Sequence, residues 1–161
     1  MSFTRDELLR PSLTDACVAK APYSVQTMIL TAFVGGPLAA IAITAVNSVR
    51  LRRWMRDFVP LLIALAAYIG FNIVLAWTQW GVDFRASLRE IAGAGAMSYL
   101  YRVIAFTLFG LSYALHRKEQ RSAQFMGLDS PNGWIAGIAC VVCGISLQLA
   151  LAAWLFAGEK A

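Results

Sequence analysis

The stretch Val25 to Val46, VQTMILTAFVGGPLAAIAITAV, runs for 22 residues without a charge. A helix of about 20 apolar residues covers the hydrocarbon core of a bilayer, so this run reads as a membrane span. It leads straight into NSVRLRRWMRD, where Arg50, Arg52, Arg53 and Arg56 face a single acid, Asp57. Positive charge beside a span marks the cytoplasmic side. One stretch therefore sets both the solvent and the orientation of the chain, and it sets no chemistry.

The remainder keeps to the same pattern. Of 161 residues, 59% are hydrophobic and 14% charged, whereas about a quarter of residues are charged in soluble domains. The net charge of +5 does not point to nucleic acid, because seven of the fourteen cations lie in two clusters beside apolar runs, as the positive-inside rule requires. The second cluster contributes Arg117, Lys118 and Arg121. Three further spans follow the first: Phe58 to Trp80, Ala96 to Leu115 and Gly133 to Ala157. Trp77 and Trp80 in the second, and Trp134 and Trp154 in the last, suit the aromatic belts at the two interfaces.

The expected architecture is an all-α integral membrane bundle of four transmembrane helices over residues 25–157, with an extramembrane tail at 1–24 and a short one at 158–161. Between the second and third spans, Val82, Phe84, Leu88 and Ile91 face one way and Asp83, Arg85, Arg89 and Glu90 the other, the pattern of a short amphipathic helix in the interface. Basic loops after spans one and three place both loops in the cytoplasm and both termini outside, with the inverted arrangement as the alternative. The tail mixes charges where a cleavable signal has its apolar region, so no signal peptide is expected. A short helix over Arg5 to Leu9, capped by Thr4, fits its sequence.

Small residues mark the packing faces. Ala32, Gly36 and Ala40 recur every four residues, and Gly133, Gly137, Cys140 and Gly144 form a second such face, the small-xxx-small pattern that lets helices approach closely. Pro37 has no amide hydrogen and leaves the Phe33 carbonyl without its helical donor, which predicts a kink. Gly35, Gly36 and Pro37 thus read as the closest helix contact, with a ligand site at the freed carbonyl as the minor alternative.

Few polar side chains lie inside the spans. Asn72 and Gln148 fall near mid-depth and are expected to pair with each other, a bond of about 0.6 kcal/mol in a membrane. Arg102 is the one intramembrane charge, close enough to a span end to reach the interface between Tyr99 and Tyr101. Its alternative roles are an anion or lipid head-group contact, or pairing with a partner subunit. Cys140 and Cys143 spell CxxC, but apolar flanks disfavour the thiolate a redox motif needs. With Cys17 they are too few for a disulfide framework. His116 is the only histidine, so neither a His-rich metal site nor a cofactor is expected. Ser98, Thr107, Ser112 and Ser146 have no evident base, so no enzymatic activity is expected.

The segment FVGGPLAAIAITAVNSVRLRR, followed late in the chain by a basic run, a turn and Gly133-Trp134 before the last span, resembles a broad set of small uncharacterised bacterial four-span proteins that carry a GGPLA segment in the first span. The resemblance implies a bacterial inner membrane and no catalytic residue. The expected role is a non-enzymatic interaction protein of the lipid bilayer. It would serve as an accessory subunit of an inner-membrane assembly, or as an immunity protein against a toxin acting at the membrane or periplasm. The alternative is a small homo-oligomeric transporter or channel with a polar path near Asn72 and Gln148.

Overall fold

The computed structural model describes residues 22–125 and 131–156. The expected helix at Arg5 to Leu9, Cys17, the turn residues 127–130 and the tail 158–161 lie outside them. Five helices follow one another among the described residues: α1 (Val25–Arg50), α2 (Trp54–Trp77), α3 (Gln79–Ala92), α4 (Ala96–Phe125) and α5 (Trp134–Phe156). By residue count and composition alone, four of them, all but α3, match a membrane-spanning helix. The all-α bundle with a short amphipathic helix between its second and third long helices is the architecture of the chain.

The first long helix is not a straight rod. Gly36 has φ 74° and ψ −164°, a region that only glycine occupies without strain. Pro37 immediately after it cannot continue the hydrogen-bond ladder and forces the preceding residue out of helical geometry. The expected kink is therefore a full reversal, and α1 is a hairpin of two arms, 25–35 and 37–50. Met28 and Asn47 would stand about 28 Å apart along an unbroken helix. Instead the Asn47 amide donates to the Met28 sulfur at 3.0 Å, and Asn47 Oδ1 accepts from the Tyr23 amide at 3.0 Å. The guanidinium of Arg50 lies 4.4 Å from the centre of the Tyr23 ring. At 1.5 Å per residue the arms measure about 16 and 21 Å, and each is shorter than the roughly 30 Å hydrocarbon core.

The hairpin is the centre of the bundle. Half of its most apolar stretch is buried, and far less of the corresponding stretches of α2, α4 and α5. Its first arm lies along α5: Gly133 and Gly137 receive Thr27 and Thr31, and Val141 meets Gly35. Its second arm lies along α4, where Ala40 and Ala105 share a cluster with Ala32 of the first arm, while Met28, Ile43 and Cys140 join both arms to α5. A Cβ on Gly144 would stand 2.7 Å from the Ala39 amide nitrogen, so backbone touches backbone just past the hairpin tip. The tip itself reaches Gln148, about 21 Å along an α5 of roughly 33 Å.

This geometry corrects one expectation. Tyr23 lies beside Asn47 and Arg50, so residue 24 and the 47–57 loop share one end of the bundle instead of standing a membrane apart. Trp134 and His116 lie at that end too. At the other end Trp77 Nε1 donates to the Leu155 carbonyl at 3.4 Å, and α3 turns off at Thr78, whose hydroxyl caps the Gly81 amide at 3.0 Å.

Candidate functional site

Polar side chains collect at the two ends of the hairpin. Above its tip a recess of about 220 Å³ is lined by Asn72, Arg85, Tyr101 and Gln148, with Met97 and Leu155 among the apolar walls. A second hollow of about 330 Å³ shares Arg85 and Met97 with it and continues past Arg89 to Gly93 under α3. Arg85 and Met97 stand between the two hollows.

Asn72 and Gln148 both line this recess, but they do not pair with each other. Asn72 gives its amide to the Tyr68 carbonyl at 2.8 Å and accepts from the Tyr101 hydroxyl at 2.7 Å. A backbone carbonyl one turn away and a hydroxyl on the facing helix satisfy the buried amide more readily than a side chain across the cavity. Gln148 instead turns toward the tip, with its Oε1 3.1 Å from where a Cβ on Gly36 would stand. Arg85 was expected on the watery face of α3. The structure turns it inward with Phe84 and Leu88, while Val82 and Ile91 are exposed. The rotation is fixed at the elbow, where Gly81 sits against the Leu75 backbone.

At the root of the hairpin a drier cluster joins three helices. His116 Nε2 lies 2.8 Å from Asp57 Oδ2 and 3.4 Å from Ser48 Oγ. Thr44 donates to Ser112 at 3.1 Å one turn further in. Thr44, Ser48, Asp57 and His116 are all buried. The offset of 68 residues is the same for Thr44 with Ser112 and Ser48 with His116, so the second arm and α4 run parallel and in register. Ser48 and Asp57 meet the same ring nitrogen, whereas a Ser-His-Asp triad needs one on each. The other nitrogen, Nδ1, is buried with no partner, and Ser48 spends its proton on the Thr44 carbonyl at 3.1 Å.

In the sequence Asp57 and His116 stand at the edges of the two basic clusters, and Ser48 carries no motif. The signal that could have found them is the spacing of four in Thr44 and Ser48, matched by Ser112, His116 and Gln120. The remaining predicted residues fall as follows. Arg102 reaches the hairpin, with its guanidinium 5.0 Å from the Phe33 ring centre and 6.0 Å from that of Tyr99. Cys140 is buried and Cys143 exposed, so the two thiols do not share one site. Arg52, Arg56, Arg117, Lys118 and Arg121 are exposed at the root end, and Arg53 adjoins Asp57 electrostatically. Among the described residues no group of three or more His, Cys, Asp or Glu could hold a metal. No family model, curated protein or solved structure matches the chain.

Proposed function

We propose that the protein is a small membrane transporter or channel whose binding site is the recess above the hairpin tip. The observation that carries this reading is a cavity of about 220 Å³ between the hairpin tip and the far ends of α2 and α5, with Asn72, Tyr101, Gln148 and Arg85 converging on it. A concave, mostly apolar site with a few placed polar groups is the form that small-molecule sites take. Its lining holds one cation and no acid, which favours a neutral hydrogen-bonding solute or a small anion over a metal cation. Irregular backbone at membrane depth is tolerated where it is buried in protein or lines a cavity, and the Gly36-Pro37 turn lies against Gln148, one of the lining residues.

On this reading the hairpin enters and leaves the membrane on one side, and α2, α4 and α5 cross it. The end carrying Arg50, Arg52, Arg53, Arg56, Arg117, Lys118 and Arg121 is cytoplasmic by the positive-inside rule. Tyr23 then lies on the cytoplasmic side and the end of α5 on the other, in a bacterial inner membrane. The accessory-subunit and immunity readings rest on no surface that lipid alone would leave unexplained. The small-residue faces that supported them are occupied within the chain by Thr27, Thr31, Ala39 and Val141.

The test is flux in liposomes containing only this protein, with nitrate, formate and glycerol as probes. Asn72→Leu and Gln148→Leu are expected to lower the flux by roughly tenfold, the equivalent of about 1.4 kcal/mol. Absence of flux for all three probes, together with a stoichiometric foreign subunit in mild detergent, would overturn the transporter and leave an accessory protein.

A further inference from the structure

The root cluster is remote from the recess, and nothing in the transport reading uses it. Asp57 is the acid nearest the start of α2, and the side chains of His116 and Asp57 are 1% and 5% exposed. A buried ionisable pair within a membrane bundle calls for a functional account, because burying either charge alone is costly. We propose that His116 and Asp57 form a proton-binding site at the root of the hairpin, whose protonated form ties α2 to α4 and seats the second arm between them.

The hydrogen-bond inventory supports this. A neutral imidazole that donates from Nε2 to Asp57 leaves Nδ1 as an acceptor, and that atom is buried without a partner. The imidazolium has a donor on each nitrogen. One turn along the same face, the buried Gln120 carries an oxygen that also lacks a partner. The Gln120 amide nitrogen is directed to the Met28 sulfur at 3.8 Å. A small cavity of about 30 Å³ borders Thr44, Asp57, Ser112 and His116, and a space of that size holds about one water when polar groups line it. Ser48 and the Thr44–Ser112 pair thus continue the polar lane inward from the ring.

The surrounding charges are few. Asp57 faces the ring from α2, and Arg53, just before α2, acts on Asp57. The second arm brings only Thr44, Asn47 and Ser48, since Arg50 is turned to Tyr23. On α4 itself Arg117 and Lys118 are exposed, and the described length of α5 has no ionisable side chain but its two cysteines.

His116 is the only histidine in the chain, so one isotope label reports on it alone. With the full-length protein in nanodiscs and ¹⁵N-histidine incorporated, the ring resonances are expected to show the imidazole gaining a proton as the pH is lowered, and to respond differently in Asp57→Asn. The thermal midpoint is expected to fall by at least about 3 °C as the pH is raised and the imidazolium-carboxylate pair becomes a neutral hydrogen bond. That fall should vanish in Asp57→Asn and in His116→Gln. A wild-type ring that keeps one protonation state throughout overturns the proposal, and this measurement needs no variant to fold. A pH dependence unchanged in Asp57→Asn overturns the pairing.

Discussion

The two ends of the hairpin use similar side chains to opposite effect. At the root, Ser48, Asp57 and His116 are packed so closely that the cavity beside them is about 30 Å³. At the tip, Asn72, Tyr101 and Gln148 border about 220 Å³. Between them lies a dry layer of Ala32, Ala39, Ala40 and Ala105, each at most 2% exposed. Small side chains let the arms and α4 close on one another there, so the two polar regions do not connect. The root fastens the hairpin and the tip leaves room above it. The amount of space, more than the kind of residue, separates the closed His116–Asp57 cluster from the open recess here.

The largest effect that could break this comparison concerns which face the hairpin's ends occupy. In a protein with its native cysteines replaced, Gln26→Cys and Arg56→Cys should react with a membrane-impermeant maleimide from the same side of sealed vesicles. Labelling from opposite sides would mean that the first apolar stretch crosses, and both root and tip would lose their meaning. Next comes the root pair. Breaking a buried ion pair by removing one partner typically costs about 3–5 kcal/mol, while replacing both with apolar residues is often neutral. Asp57→Leu should therefore lower the thermal midpoint sharply, and Asp57→Leu with His116→Leu should recover most of the loss. A double variant as unstable as the single one would show that the pair holds the hairpin by more than mutual satisfaction of its charges.

The turn follows. Gly36→Ala places a Cβ where φ is 74° and Gln148 Oε1 stands 3.1 Å away, and an unsuitable residue in such a conformation costs about 1–3 kcal/mol. The melting midpoint should fall, and Gln148→Ala should relieve only the steric part. A midpoint unchanged by Gly36→Ala would remove the reason for the reversal.

Much of the architecture was legible because apolar length is a robust signal. The expected spans 58–80, 96–115 and 133–157 correspond to α2, α4 and α5, and α3 lies in the stretch read as amphipathic. The reversal in α1 was not legible, because a hairpin of two apolar arms has the composition of one span. Gly36 and Pro37 were visible as a breaker, but the sequence alone does not distinguish a kink from a return, which depends on what the arms pack against. The small-residue faces on 32–40 and 133–144 were legible as close contacts, and the partners that occupy them are Thr27, Thr31, Ala39 and Val141. The root cluster was hidden for another reason. Charges near span ends are usually solvated, and only the reversal, which brings Ser48 beside α4, buries Asp57 and His116.

The smallest expected effect sharpens the tip. Arg102 is the one charge within the expected spans, and it rests on Phe33 of the first arm, whose ring also meets Phe106 at 5.9 Å between centres. A cation over an aromatic face contributes about 0.5–1 kcal/mol at an exposed site, and Arg102 is exposed. Arg102→Gln and Phe33→Leu should therefore each lower the thermal midpoint slightly. The double variant should lose less than the sum of the two, because the second change removes a contact that the first has already broken. Additive losses would show that Arg102 does not fasten the hairpin tip to α4. Flux through the recess should be nearly unchanged in Arg102→Gln, since that side chain is not among the residues lining the cavity. A strong fall in flux would move the solute's path from the α3 side of the tip to the Phe33 side.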